Sequence, residues 1–538
     1  MAEQSFDLLV IGAGASGASV AYEASRRGLS VALLDAGDIA GGTSCRSTKL
    51  LHGGVRYLEL AFKTLDLAQL KLVREALLER GHWLQQAPFL AHRLELALPT
   101  DHVLGQAYYR LGLGLYDALS GRQGIGSSRL LSRAKLQQAM PLLRPCSGAV
   151  AYSDGQFNDA RLNLLLALTA ERAGVVLHNH CRVIALEKNL DGRLCAAVSE
   201  DSSGQRRRWS ARVIVNATGI HADAIRQMAD PAVMPRMLTS RGTHLVVKEQ
   251  LCPGGLGLLV PSTDDGRVLF MLPFFGRTLV GTTDEACPQE EATTPSESEE
   301  RYLLEYVKRW FPSASAINVT SRWAGGRPLL KPAGEGLDSS RVVREHDVET
   351  LPCGLVSVMG GKWTTCRPMA LDTLAAVEAQ LDQTLPAAKH QPLLGAASDH
   401  ASTLSGLESQ RQHLKRLLPE SPLQEQQIQH LEGNYGLLAL PLIESATASE
   451  REPLSEVIPL CLADVRHAVQ HEHARSWDDV LARRCRLAMV DAEEAVRLQP
   501  LVNQVLDQTG GGFFQRQELK GMLVLHNEVD FAAQERKI

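Results

Sequence analysis

No apolar run in this sequence approaches the roughly 20 residues that a helical membrane span needs, so no such span is expected. The ten cysteines are scattered and none forms a Cys-x-x-Cys pair. That spacing supplies neither a disulfide framework nor a zinc site, and it points to reduced thiols in a cytoplasmic compartment. A net charge of −5 gives no footing for nucleic acid. The short Arg206-Arg207-Arg208 run reads as the solvated rim of a hairpin. There is no Asp-x-Asp-x-Asp-Gly calcium loop and no solenoid repeat. No basic region precedes the first apolar run, so no signal peptide is expected. What remains is 538 residues at 44% hydrophobic, beyond the usual single-core limit of about 250–300 residues, which implies two or three domains.

Most of the information lies near the start. Asp7-Leu8-Leu9-Val10-Ile11 reads as a buried strand that runs directly into Gly12-Ala13-Gly14-Ala15-Ser16-Gly17 and a helix. Ser30-Val31-Ala32-Leu33-Leu34-Asp35 then supplies a second strand ending in a carboxylate. Gly12 permits the tight turn, Gly14 lets a pyrophosphate approach the backbone, and Gly17 allows close helix–strand packing. The helix N-terminus offers unpaired N–H groups to phosphate, and Asp35 can accept from ribose hydroxyls. This is a dinucleotide-binding βαβ unit, and the pattern alone leaves NAD and FAD both open.

The stretch from Gly41 to Tyr57 is too rich in glycine and hydroxyls for an element interior and reads as a loop whose backbone approaches a ligand. Cys45 beside it is expected to be a packed thiol. Helical patterns follow at about Lys63–Gln86 and Asp159–Ala173, and strands at 175–177, 181–186 and 212–219. From Arg241 to Asp284 short β runs separated by turns suggest an antiparallel sheet in a second domain. A polar loop from Cys287 to Glu300 leads into a helix around Tyr302–Trp310. At 355–365 a β run meets Gly360-Gly361 and another helix start. Beyond about Leu385 the pattern is helical.

Basic residues stand isolated in glycine-rich, otherwise neutral segments: Arg56, Arg327, Arg344 and Lys362. Arginine offers a fixed donor fork and lysine a compact charge, both suited to phosphate or carboxylate. They either converge on an anionic ligand or are separate surface cations, and spacing does not decide. His244, at a strand start, is either a proton acceptor or a structural histidine.

Five ordered segments carry a resemblance: Thr-Ser-Cys-Arg-Ser-Thr-Lys-Leu-Leu-His-Gly-Gly-Val-Arg-Tyr-Leu-Glu (43–59), Tyr-Ser-Asp-Gly-Gln-Phe-Asn-Asp-Ala-Arg-Leu-Asn (152–163), Gly-Thr-Thr-Asp (281–284), Gly-Gly-Arg-Pro-Leu (325–329) and Gly-Gly-Lys-Trp-Thr-Thr (360–365). Together with residues 466–484 they resemble the FAD-dependent, quinone-linked glycerol-3-phosphate dehydrogenases. The resemblance implies an α/β FAD-binding (glutathione-reductase-like Rossmann) domain, a mixed, largely antiparallel β substrate domain and a C-terminal all-α domain. The expected divisions are 1–95, 150–235 and 345–390 for the first, 96–149 and 236–344 for the second, and 391–538 for the third.

By the same resemblance Arg56, Arg344 and Lys362 would hold the substrate phosphate with Tyr57 beside them. His244 and Arg327 would lie near the C2 hydroxyl and carry the catalytic roles. Thr43, Ser44, Lys49 and Gly53 would line the pyrophosphate and isoalloxazine, and Gly219 and Gly361 would let backbone approach the FAD. No metal is implied. Two departures stand out. Ile220-His221 follows Asn-Ala-Thr-Gly where the family usually has proline and an aromatic residue, and Ala324 replaces a serine ahead of Gly325. The calcium-binding tail of animal mitochondrial members is missing, so calcium control is not expected. The implied partners are glycerol 3-phosphate and the membrane quinone pool, with peripheral attachment to the cytoplasmic face of the inner or plasma membrane and room for a homodimer. The rival readings are a glycerol-3-phosphate oxidase using oxygen, an amine or amino-acid oxidase, and a flavin-holding interaction protein.

Overall fold

In the computed structural model, residues 5–54, 67–331 and 346–509 are described. The chain opens with β1 (Ser5–Ile11), α1 (Ala15–Ser25), β2 (Val31–Leu34), the two-residue β3 (Leu50–Leu51), α2 (Leu67–Gln86), β4 (Ala91–Thr100) and α3 (Val103–Leu119). Next come β5 (Arg129–Ser132), α4 (Arg133–Ala139), β6 (Gly148–Phe157), α5 (Asp159–Arg172), β7 (Val176–His178), β8 (Cys181–Lys188), β9 (Leu194–Asp201), β10 (Arg206–Asn216) and α6 (Ala222–Ala229). Then follow β11 (Met237–Val247), β12 (Leu256–Val260), β13 (Leu269–Phe274), β14 (Arg277–Gly281), β15 (Glu285–Ala286), α7 (Glu297–Trp310), β16 (Val319–Leu330), β17 (His346–Thr350), β18 (Leu355–Gly360) and α8 (Cys366–Leu381). Helices α9 (His400–Leu417), α10 (Gln424–Tyr435), α11 (Ala439–Glu444), α12 (Leu462–His471), α13 (Leu487–Val490) and α14 (Ala492–Gln508) complete it.

The first sheet runs β17-β18-β10-β1-β2-β7, with β9 and β8 attached through β10. Its pairs β10–β1, β1–β2, β2–β7 and β10–β18 are parallel. Both faces are covered, which is why its strands read as unbroken apolar runs. Leu8, Val10, Leu33, Val215 and Val356 pack under α1, α5 and α8, while Leu9, Ile11, Leu34 and Ile214 pack against the β8–β9 hairpin. Strand β10 is longer than the expected 212–219 because it serves two partners. Its first half pairs antiparallel with β9, and its second half lies parallel to β1. Arg206–Arg208 are exposed on that hairpin, as expected.

The second sheet runs β15-β11-β14-β13-β12-β4-β6-β3, with β16 on β11 and β5 on β6. Every pair is antiparallel except β12–β4. Strands β4 and β6 pair from Ala91↔Phe157 to Thr100↔Gly148, so the expected divisions at 95 and 150 cut a continuous ladder. Both strands belong wholly to this sheet. Helix α7 starts at Glu297 rather than near Tyr302, because Ser296 and Glu299 form a capping box. The C-terminal helices are not one separate core either. Leu414, Ile428, Leu431, Tyr435 and Ile443 form their own cluster, but Val465, Leu481, Leu487, Val502 and Leu506 share a core with Leu96, Val246, Leu272 and Trp323 of the second sheet. No helix among the described residues is long and apolar enough to cross a membrane.

Candidate active site

Parallel strands deliver their carboxyl ends to one edge. Ile11 pairs with Asn216 and with Leu34, and Asn216 pairs with Ser357. Gly12–Gly17, Asp35, Gly219 and Gly361 therefore stand together in the crevice where open α/β sheets bind ligands. Gly12 has φ of 103°, and a Cβ there would lie 2.6 Å from the Ala217 carbonyl oxygen. A Cβ on Gly17 would lie 1.8 Å from the Gly12 carbonyl oxygen. No other residue fits either position. Gly14 caps α1, and the Ala15 N–H donates to the Ser44 hydroxyl at 2.9 Å. Asp35 accepts from the Ala13 N–H at 2.6 Å and the Gly37 N–H at 2.8 Å. Burial raises its pKa, and those two donors oppose the shift.

The loop after β2 is held from several sides. The Thr43 hydroxyl donates to the Gly326 carbonyl at 2.5 Å, and the Trp363 indole donates to the Ser44 carbonyl at 3.1 Å. Lys49, at φ 64°, is buried. Its ammonium donates to the Cys45 carbonyl and to Asp159, both at 2.7 Å. Arg486 donates to the same carbonyl at 2.9 Å and to the other Asp159 oxygen at 3.1 Å. Two buried cations thus share one buried carboxylate. Burial, opposed by Asp159 and reinforced by Arg486, lowers the Lys49 pKa to about 8. Burial alone would raise the Asp159 carboxyl, but Lys49 and Arg486 hold it below the usual range.

His244 lies in the wall above. It pairs with Trp323 across β11–β16 and with Gly281 across β11–β14. Its ring stacks on Trp323 at 5.6 Å with 12° between planes. A Cβ on Gly281 would fall 2.2 Å from the His244 ring, so glycine makes the room. Nε2 is 3.0 Å from the Thr48 hydroxyl. Burial, then the charges of Lys49 and Arg327, push its pKa well below normal, so the imidazole is neutral. Arg327 pairs with Ser240, four residues along β11 and about 13 Å away by strand rise. Its guanidinium folds back over Gly242, donating to Asp284 at 3.0 Å and to the Thr283 carbonyl at 2.7 Å.

Lys362 stands half-buried at the edge of the first sheet, where its carbonyl accepts from the Thr365 N–H at 3.1 Å in the turn that carries Trp363. Gly53 is buried, and its N–H donates to the Tyr116 hydroxyl at 2.7 Å. Arg56, Tyr57 and Arg344 lie outside the described residues. Cys45 is buried and its sulfur faces the Gly42 carbonyl at 3.5 Å, a packed thiol as expected.

Sequence reasoning assigned no role to Asp159, Trp323, Thr48 or the C-terminal arginines. Arg483 and Arg484 both pair with buried Asp38, and Arg483 pairs with Asp479 at 2.6 Å. Asp38, Asp479 and His180 come close enough to suggest metal ligands, but the two guanidiniums already supply their counter-charge. The available signal was Arg483-Arg484-Cys485-Arg486 in an apolar helical region, where unpaired cations would be costly.

A dinucleotide crevice roofed by a mixed β sheet, with a neutral histidine in the roof, defines a dinucleotide-dependent oxidoreductase. Residues 7–370 match the family of FAD-dependent oxidoreductases, and residues 387–511 match the C-terminal domain of alpha-glycerophosphate oxidase. A mitochondrial glycerol-3-phosphate dehydrogenase of Arabidopsis thaliana is 37% identical over 94% of this chain and 83% of its own length. That of Mus musculus is 36% identical over 93% of this chain and 70% of its own. The FAD-bound glycerol-3-phosphate dehydrogenase of Bacillus halodurans has the same fold, with a TM-score of 0.75 at 24% identity over 95% of this chain and 92% of that one. The chain belongs to the FAD-dependent glycerol-3-phosphate dehydrogenases.

Proposed function

We propose that this enzyme oxidises sn-glycerol 3-phosphate to dihydroxyacetone phosphate and passes the electrons to a membrane quinone. The observation that carries the first half is His244, held neutral and buried between Thr48 and Trp323, with Lys49 and Arg327 as its cationic neighbours. A neutral imidazole can take the C2 hydroxyl proton, and the neighbouring cations favour the alkoxide that develops as it leaves. Thr48 and Trp323 fix the ring. Gly12, Gly14, Gly17, Asp35, Thr43, Ser44, Lys49, Gly53, Gly219 and Gly361 are the FAD-holding set. The fit is supported by the glycine cradle that any Cβ would fill and by the α1 N-terminus facing it. FAD, when bound, supplies the acceptor for the hydride that leaves C2. Arg56, Arg344 and Lys362, with Tyr57, grip the phosphate, and binding energy remote from C2 orients the reacting carbon. The electrons then leave for a quinone, with the enzyme attached peripherally to the cytoplasmic face of the membrane.

Anaerobic addition of glycerol 3-phosphate should bleach the flavin absorbance, and absence of bleaching overturns the reading. Equal bleaching by glycerol would remove the phosphate-binding role of the basic residues. Aerobic turnover that yields stoichiometric peroxide and no quinone reduction would make the enzyme an oxidase.

A further inference from the structure

Gly281-Thr282-Thr283-Asp284 carries part of the family resemblance, yet Asp284 has no task in the proposed chemistry. The segment leaves β14 beside His244 and leads into β15, so it runs along one flank of β11. Strand β16, which carries Arg327, runs along the other flank. The two flanks meet over the strand between them. From Nη1, Arg327 donates to Asp284 at 3.0 Å, to the Arg241 carbonyl at 3.2 Å and to the Ser240 hydroxyl at 3.4 Å. From Nη2 it donates to the Thr283 carbonyl at 2.7 Å and to the Thr282 hydroxyl at 3.2 Å. Of these acceptors Asp284 is the charged one, and the Ser240 hydroxyl donates to the same carboxylate oxygen.

The segment that presents Asp284 is itself pinned. The Thr243 N–H donates to the Thr283 hydroxyl at 2.8 Å, and that hydroxyl donates to Glu299, in the first turn of α7, at 2.6 Å. Glu299 is buried and also pairs with Arg241 at 2.6 Å. Ser240, Gly242 and His244 share one face of β11. The guanidinium lies over Gly242, where a Cβ would fall 2.5 Å from its Nη2. Gly242 is two residues, roughly 7 Å, from His244. The Arg327 and Asp284 side chains are 19% and 30% exposed, and a pair that solvent reaches adds little to stability. What the pair fixes is position. Without this counter-charge the guanidinium would be drawn to the substrate phosphate, the larger negative charge in the crevice, and away from the reacting carbon. We propose that Asp284 is a positioning residue that holds the Arg327 charge beside His244, where the C2 alkoxide develops. The inference rests on the proposed roles of His244 and Arg327 and gives the acid of the Gly-Thr-Thr-Asp segment its task.

The test follows anaerobic flavin reduction by glycerol 3-phosphate in stopped flow with the full-length holoenzyme, alongside FAD content and Tm. Asp284→Asn, which keeps the shape and loses the charge, should lower the limiting reduction rate about tenfold, a part of the loss expected for Arg327→Gln. The half-saturating substrate concentration should not rise, and Tm should stay near wild type. Asp284→Asn combined with Arg327→Gln should be no slower than Arg327→Gln alone. A wild-type rate in Asp284→Asn, or a further tenfold loss when it is added to Arg327→Gln, would overturn the proposal and leave the Arg327 assignment standing. A raised half-saturation at an unchanged rate would place Asp284 in substrate binding and overturn it too. A wild-type rate in Arg327→Gln would remove that assignment and the task of Asp284 with it. If wild type is not bleached at all, the proposed function fails and this inference falls with it.

Discussion

Asp159→Asn should destabilise the enzyme far more than Lys49→Met, although the two residues form one ion pair. In the wild type Asp159 is, among the described residues, the one carboxylate paired with both Lys49 and Arg486, and all three side chains are buried. Removing Lys49 leaves Asp159 with Arg486 and Ser47, a one-to-one pair. With the Lys49 pKa at about 8, its charged form at pH 7 is favoured over the neutral one by only about 1.4 kcal/mol. With two hydrogen bonds lost as well, the substitution should cost about 2 kcal/mol. Removing the carboxylate is different. Lys49 can shed its proton, but Arg486 cannot, and an uncompensated buried guanidinium costs about 3–5 kcal/mol. That is a large share of a typical stability of about 5–15 kcal/mol. Urea unfolding of apoenzyme and holoenzyme, followed by tryptophan fluorescence, would measure the difference. The pH dependence gives a second readout. Because the folded pKa of Lys49 lies below the unfolded 10.5, the folded state binds fewer protons between about pH 8 and 10.5. Lys49 therefore contributes a rise in stability with pH across that window, and Lys49→Met should remove it. An Asp159→Asn variant no less stable than Lys49→Met would refute the shared counter-charge.

His244→Ala should depress kcat by about 100-fold or more while FAD content stays near wild type; a near-normal kcat measured at saturating substrate would rule out the base assignment. Since the His244 pKa is held well below 6.5, its protonation should place no acid limb between pH 6 and 8 in kcat/KM, and a His244-dependent limb there would contradict the buried neutral ring. Gly17→Ala should abolish FAD retention on gel filtration, because the added carbon falls 1.8 Å from a backbone oxygen. Tyr116→Phe removes the acceptor of the Gly53 N–H and the donor to Asp154, which lies 2.8 Å away. Because Gly53 belongs to the proposed FAD-holding set, the substitution should weaken FAD retention on gel filtration, and retention equal to wild type would remove Gly53 from that set.

The parts that were legible in the sequence are those with local causes. The βαβ unit announced itself because Gly17 answers to the nearby Gly12 carbonyl and Asp35 ends a strand marked by its apolar run, although the oxygen that Gly12 answers to belongs to Ala217, far away in sequence. The second sheet was legible as short β runs separated by turns, but not its extent: β4 and β6 are joined through a long excursion containing α3 and α4, and no short-range pattern pairs them. The start of α7 was readable and passed over, since Ser296 and Glu299 stand at capping-box spacing. The surroundings of His244 were not readable. Trp323 and Thr48 lie 79 and 196 residues from it in sequence and meet it only through the β11–β16 ladder and the loop beneath. Isolated arginines drew attention because glycines surround them, whereas Asp159, an acidic residue in the first turn of an ordinary amphipathic helix, gave no local sign that two cations depended on it.

The same networks explain why this fold carries its C-terminal helices. The loop between β2 and β3, which we propose lines the cofactor with bare backbone, has little regular structure of its own to hold it. Asp38 and the Cys45 carbonyl within it are instead gripped by Arg483, Arg484 and Arg486, from a π-helical turn at Asp479–Arg484 and the residues that follow it. That turn is fixed in its own right: Glu472 accepts from Arg161 of α5 at 2.7 Å, and the Arg484 guanidinium reaches the Glu472 carbonyl. The surrounding side chains share the core of the second sheet. Each arginine thus joins the β2–β3 loop to helices that share the core of the second sheet. Buried ion pairs are weak sources of stability but strong determinants of which surfaces meet, since a mispaired buried charge is costly. The helices therefore set the position of the loop under His244, and a change there should appear first as altered flavin environment, before any loss of the helices themselves.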